Sequence, residues 1–486
     1  MAQIIVISIL FLAAAVGAFL FALSAVGALQ IARQRREGVL QYFVYAIFLS
    51  GAATILASGR NFNADDFAAE ASGGFVASWI VRIVSVFTMV ACADQVIRYF
   101  ARSPKIEALR AVLLFTFVMY WITNLVIPAF FATHPTPYAM PWTYSLFLGV
   151  GVLCLYGRPA MNAVLVARNA IVLICAASLL LIPIIPGKVL DLTYAQGYLP
   201  GIPRLAGLAP HAIMLGSLAA MGVLCLMTWP FERTWANRSA WTVVVLVLIL
   251  AQAKSAWISS AFSIPLLLAY QQREKKFGPK GLMAAKAVYV LPVMALILGL
   301  VLFAVYLTMA GGIDRIDHYL STKAGAQILT LTGRDRIWNV AIEEWKKAPI
   351  FGYGYSLFSV DFRNLINMPF ATHAHSQYLD SLARTGALGA TFMCLHFLAL
   401  VWAGFRLARA TRGLSAVLVI GIVVAGITDL TVSLNGINIV NSAVYILWAV
   451  VAAGLYKESS PKTEPAVAEA AANRGGRQGG LQMAGR

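Results

Sequence analysis

The side chains best suited to chemistry gather in one polar stretch, from about Gly311 to Arg384. It holds Thr332-Gly333-Arg334-Asp335-Arg336-Ile337-Trp338, then Pro349-Ile350-Phe351-Gly352-Tyr353-Gly354, then Thr372-His373-Ala374-His375-Ser376-Gln377-Tyr378-Leu379. A Gly386-Ala387-Leu388-Gly389 turn follows. A second group lies earlier: Gly201-Ile202-Pro203-Arg204-Leu205-Ala206-Gly207 with His211 close behind, and Lys254 between two short apolar runs. Arginine offers a planar fork that binds phosphate or carboxylate bidentately. Histidine exchanges its proton near neutral pH, which suits a general base. His373 and His375 can also share a metal ion, but no Asp, Glu or Cys stands at ligand spacing, so no metal is expected.

Plainer readings exist for each. Arg334 can cap a helix or pair with Asp335, and Arg204 can anchor at a membrane interface. Tyr353 and Trp338 can pack in a core. Lys254 must face a cavity or a boundary, because a charge at a bilayer midplane costs about 3 kcal/mol. Asp94 and Asp429 lie in or near apolar runs and are expected to be paired internally. The five cysteines fall within or beside apolar runs and read as small packing residues.

The elements that must position these groups follow from composition. Of 486 residues, 60% are hydrophobic and 12% charged, where a soluble domain carries about 25% charged residues. An ordinary water-soluble fold is excluded. The apolar residues form runs of about 20, the length that crosses a bilayer, and not the alternating segments of a strand barrel. The expectation is an all-α polytopic transmembrane helical bundle of 12–13 spans. They centre near residues 3–29, 39–58, 75–97, 110–131, 142–156, 163–185, 209–229, 240–252, 256–270, 287–308, 386–405, 414–432 and 440–456. The eighth and ninth form a hairpin turning at Ala253-Lys254-Ser255. The first run is too long for a signal-peptide core and reads as a retained helix.

The net charge of +17 is a matter of sidedness rather than of nucleic-acid binding. With the N-terminus outside, 24 of the 37 Lys and Arg residues fall on the cytoplasmic side. The chain then divides into ten spans (1–308), a long, partly helical periplasmic loop (309–385), three spans (386–456) and a disordered cytoplasmic tail (457–486).

The ordered motifs resemble those of the O-antigen ligase and polysaccharide polymerase superfamily of bacterial membrane glycosyltransferases. That family keeps a Gly-Arg followed by Trp, a Pro with Gly-x-Gly, a His usually followed by Asn, and Gly-x-x-Gly, all in one large periplasmic loop. Ser376 stands here in place of the Asn, and Lys254-Ser255 where Ser-Arg is common. The resemblance implies transfer of a glycan from undecaprenyl diphosphate to an acceptor hydroxyl on lipid A-core or a growing polysaccharide. The site would face the periplasm at the inner membrane, in contact with membrane lipid. The reaction would invert the sugar and need neither cofactor nor metal. It implies His375 as base, with Arg334 and Arg204 as catalytic cations on the leaving diphosphate. Lys254, Arg336, His373, His211 and Tyr353 would bind substrate. Arg204, Arg334 and His375 are expected to meet at one cavity that opens sideways to lipid. A polymerase is the alternative to a ligase, and a protein O-oligosaccharyltransferase is a third branch. A lipid-linked glycan flippase belongs to another class and has little need of this loop.

Overall fold

A computed structural model describes residues 38–60, 62, 75–102, 106–192, 199, 202–277, 334–369, 371–434 and 436–459. In lipid every backbone amide must be bonded within its own segment, and the apolar runs therefore wind into helices. In chain order these are α1 (Val39–Ala57), α2 (Phe75–Arg102), α3 (Ala108–Phe131), α4 (Met140–Leu153), α5 (Arg158–Leu180), α6 (Ala212–Thr228), α7 (Thr234–Leu250) and α8 (Lys254–Phe277). There follow α9 (Arg334–Lys347), α10 (Val360–Leu365), α11 (Gln377–Arg406), α12 (Leu414–Thr428) and α13 (Ile439–Ser459). Among the described residues, six of them (α1, α2, α3, α5, α11 and α13) are long and apolar enough to cross a membrane, and α4, α6, α7 and α12 are shorter apolar helices. The only strand pairing among these residues joins β1 (Leu190–Asp191) to β2 (Arg204–Leu205), antiparallel. The chain is an all-α multi-pass membrane protein. The expected spans at 3–29 and 287–308, the loop up to Gly333 and the tail beyond Ser459 lie outside the described residues.

The core forms around α13, whose apolar window is 83% buried. A helix apolar on every side belongs in an interior. Its Ala449, Ala452, Ala453 and Gly454 admit close neighbours, and Gly454 packs against Leu407 and Thr411. Two buried arginines are matched by carboxylates. Asp94 pairs with Arg98 at 2.6 Å, as expected. Arg110 pairs with Glu107 at 2.8 Å and also donates to the carbonyls of Leu153 and Leu155 at the end of α4.

The hairpin differs from expectation by a residue or two. The turn falls at Ala251–Ala253, with Gln252 at a positive φ of 45°, and Lys254 opens α8. At the opposite end of α12 from Gly413, α9, α10 and the first turns of α11 build a small core of their own. It contains Ile337, Ala341, Leu357, Phe358, Phe362, Ala374 and Ala383. Ile337 and Ala341, four residues apart within α9, mark a buried face, as their helical spacing predicts.

Candidate functional site at the loop end

Backbone zippering fixes this region before any side chain acts. Tyr353 N donates to Ala383 O (2.8 Å), Gly354 N to Arg384 O (2.9 Å) and Ala387 N to Pro349 O (2.8 Å). The Pro-Gly-x-Gly motif thus lies along α11, and Thr133 and His134 bond to its other edge. Gly386 breaks α11 at φ 66°, ψ −169°, and a Cβ there would run into the Ile350 carbonyl. The break turns the first part of α11, from Gln377 to Thr385, away from the axis of the later span.

The histidine motif is clamped at Ala374. Its amide donates to Asp380 Oδ1 (3.0 Å) and its carbonyl accepts from Trp338 Nε1 (2.8 Å). His375 adopts a left-handed φ of 47°. The bend brings the rings of His373 and His375 to a centroid distance of 4.0 Å, tilted by 41°. Gln377 Oε1 accepts from the amides of Thr431 and Val432, which draws the segment after α12 onto α11. Asp429 is thereby delivered to His373, with Oδ1 at 3.5 Å from Nε2. The internal pairing expected of Asp429 is with an imidazole. Its carboxyl is held below its ordinary range: burial opposes ionisation, but His373 and the Leu430 amide outweigh it.

His375 is lowered to about 4, first by burial, then by the neighbouring His373 and Arg334. It is therefore a neutral imidazole at pH 7, with Arg334 close enough to act on it. Beside the pair lies a cavity of about 240 Å³. Its wall from α11 is a polar stripe, Gln377, Asp380, Ser381, Arg384 and Thr385, at positions i, i+3, i+4, i+7 and i+8. Asp380 holds Arg384 at 3.0 Å, and the guanidinium lies 5.6 Å from the Tyr355 ring centroid. Opposite stands Asn124, in a π-helical turn (Ile122–Val126) of α3. Its amide donates to Gly389 O (2.9 Å) and its carbonyl accepts from Ser381 (2.8 Å).

The sequence-predicted residues fall into two groups. His375 lies against His373 and within electrostatic reach of Arg334, but of the three residues expected to meet at one cavity, Arg204, Arg334 and His375, none lines this one; His373 does. Arg204 and Lys254 form the other group. Arg204 Nε donates to Ala251 O (3.0 Å), three residues before Lys254, and Gln252 donates to Ile202 O (2.9 Å). Residues 202–207 of the motif thus sit over the hairpin turn. The two groups share one end of the bundle. Helices α8 and α12 pack antiparallel, Tyr270 against Gly413 and Ser259 facing Gly421. At 1.5 Å per residue, Lys254 lies about 7 Å and Asp429 about 12 Å beyond the Ser259–Gly421 contact, in the same direction. Arg336 is exposed on α9, and His211 is exposed at the N-cap of α6. Tyr353 packs instead of presenting a free face, with His134 at 4.2 Å and Phe362 at 5.3 Å between ring centroids. Arg384, Asp380 and Asn124 escaped sequence reasoning. The polar i, i+3, i+4, i+7 spacing from Gln377 was the signal available for the first two; nothing local marks Asn124.

A multi-pass helical bundle whose loop end joins cations, imidazoles and carboxylates around a polar cavity has the parts to handle an anionic, hydroxylated substrate beside lipid. Residues 238–394 match the family model described as O-antigen ligase, a stretch that runs from α7 into α11 and includes Lys254, Arg334, His373, His375 and Arg384. The match supports the O-antigen ligase and polymerase superfamily, and with it a membrane glycan-processing enzyme acting on lipid-linked glycan and polysaccharide. No curated protein matches the chain.

Proposed function

We propose that the protein transfers a glycan from undecaprenyl diphosphate to an acceptor hydroxyl at the periplasmic face of the bacterial inner membrane. It acts as a ligase towards lipid A-core, and polymerisation is the same chemistry with a sugar acceptor. The observation that carries this reading is the adjoining pair His373 and His375 beside a polar cavity, within a stretch that matches the O-antigen ligase family.

The chemistry follows from charge. The leaving group is a lipid diphosphate bearing two or more negative charges. Arg334 grips it from α9, and Arg204 with Lys254 from the hairpin turn, so that charge developing on departure meets fixed cations. The acceptor hydroxyl gives its proton to His375 as its oxygen bonds to the anomeric carbon on the face opposite the departing diphosphate, and the configuration inverts. In the free protein His375 is a weak base. The bound diphosphate brings compensating negative charge, which raises its proton affinity when the base is needed. The cavity lies below the roughly 300 Å³ at which drug-sized ligand sites begin. It has room for one sugar ring, with Arg384, Asp380 and Asn124 as polar partners and Tyr355 as a stacking face.

The test is genetic. Deleting the gene should remove polymer-capped lipopolysaccharide and accumulate carrier-linked glycan, and the native gene should restore it. Arg334→Ala and His375→Ala should insert in the membrane yet fail to restore it. Single-repeat surface glycan in the deletion would assign the polymerase role. Unchanged surface glycan would refute the transferase reading.

A further inference from the structure

The sequence offers no third ligand beside His373 and His375, but the fold supplies one. We infer that His373, His375 and Asp429 form a binding site for one divalent ion of the zinc class. One ligand atom from each lies within 4.8 Å of the other two. His373 Nε2 is buried and has no hydrogen-bond partner, and its 3.5 Å separation from Asp429 Oδ1 is long for a strong hydrogen bond. It is close to the separation of two ligands on one tetrahedral ion. Zinc bonds of about 2.0–2.1 Å place neighbouring donors roughly 3.3–3.4 Å apart. His375 offers a ring nitrogen within 4.8 Å of the other two ligand atoms, and binding the ion draws it in.

The surroundings prepare the ligands as metal sites require. His373 Nδ1 is already bonded to Thr372 Oγ1 at 2.9 Å, which leaves Nε2 to coordinate. Asp429 Oδ1 accepts the Leu430 amide at 2.8 Å, which fixes the carboxylate. The Ala374 clamp from Asp380 and Trp338 holds the two histidines in a bend that keeps their rings together. Asp429 and Asp380 offset the charge of Arg334 near the pair. Three protein ligands leave the fourth tetrahedral position open. The inference stands on these side chains alone and does not require the transferase reading. It does carry a consequence for that reading: an ion here occupies the lone pair that His375 needs as a base, so zinc should inhibit transfer.

The experiment uses the full-length protein, purified through a tag without histidines, stripped with chelator and placed in lipid nanodiscs. Zinc is titrated by calorimetry, and cobalt(II) absorption reports geometry. One equivalent of zinc should bind, with the visible bands of tetrahedral cobalt. Asp429→Asn, which preserves shape, and His373→Ala should each weaken binding by about 100-fold or more, while Cys394→Ala, which removes an exposed thiol, should change nothing. Absence of saturable binding, or binding equally tight in Asp429→Asn, overturns the inference. Zinc that binds as described yet leaves transfer unaffected keeps the metal site and removes His375 as the base.

Discussion

At the scale of residues, the site works by opposing charge with burial. Burial first, then the neighbouring His373 and Arg334, disfavours a proton on His375. The pH dependence follows with a definite sign. A base depressed to about 4 is already deprotonated at pH 7, so kcat/KM should be flat through neutrality and fall only as pH drops towards 4. The acid limb of kcat, which reports the donor complex, should lie at higher pH because the diphosphate raises the imidazole. A kcat/KM limb near the ordinary histidine value of about 6.5 would contradict this environment. His375→Ala should lower kcat by about 10²–10⁴-fold. Arg334→Lys should not restore what Arg334→Ala loses, since an ammonium lacks the bidentate fork; steady-state kinetics with a polyprenyl-diphosphate glycan would measure both. Most of these residue types were legible in the sequence, because phosphate binding and proton transfer call for arginine and histidine and the polar loop gathers both. Their partners were not. Asp429 stands 54 positions beyond His375 and Asn124 precedes Arg384 by 260, so only packing could join them.

At the scale of elements, the glycine motifs are structural devices that aim the chemistry. Gly386 occupies backbone space open essentially to glycine alone, against the Ile350 carbonyl. Gly386→Ala should cost at least about 2 kcal/mol and lower the melting temperature in detergent. A melting temperature equal to that of the native protein would mean the zipper between residues 349–354 and 383–388 is dispensable. Trp338 matters through its indole N–H more than its bulk. Trp338→Phe keeps the apolar face and loses the bond to Ala374 O, so it should reduce turnover with little change in melting temperature. The spans were legible because lipid forces apolar runs into helices. The loop was less so: α11 begins at Gln377 although the apolar run starts near Gly386, because its first turns bury a polar stripe that hydropathy does not register.

At the scale of the whole molecule, the bundle places two cationic groups, distant in sequence, at one end of the antiparallel pair α8 and α12. The Arg204–Lys254 group rides on the hairpin turn, and the Arg334–His375 group on the loop core. The proposed transfer requires a lipid diphosphate to reach both while its isoprenoid tail stays in the bilayer. The most direct test is single-turnover transfer in proteoliposomes with a synthetic polyprenyl-diphosphate glycan and a hydroxyl acceptor, following glycan transfer and release of polyprenyl diphosphate together. The native protein should yield both products in equal amounts, and Arg204→Ala, Arg334→Ala and His375→Ala should each suppress both. Full transfer by the protein lacking either the cations or the imidazole would contradict the account.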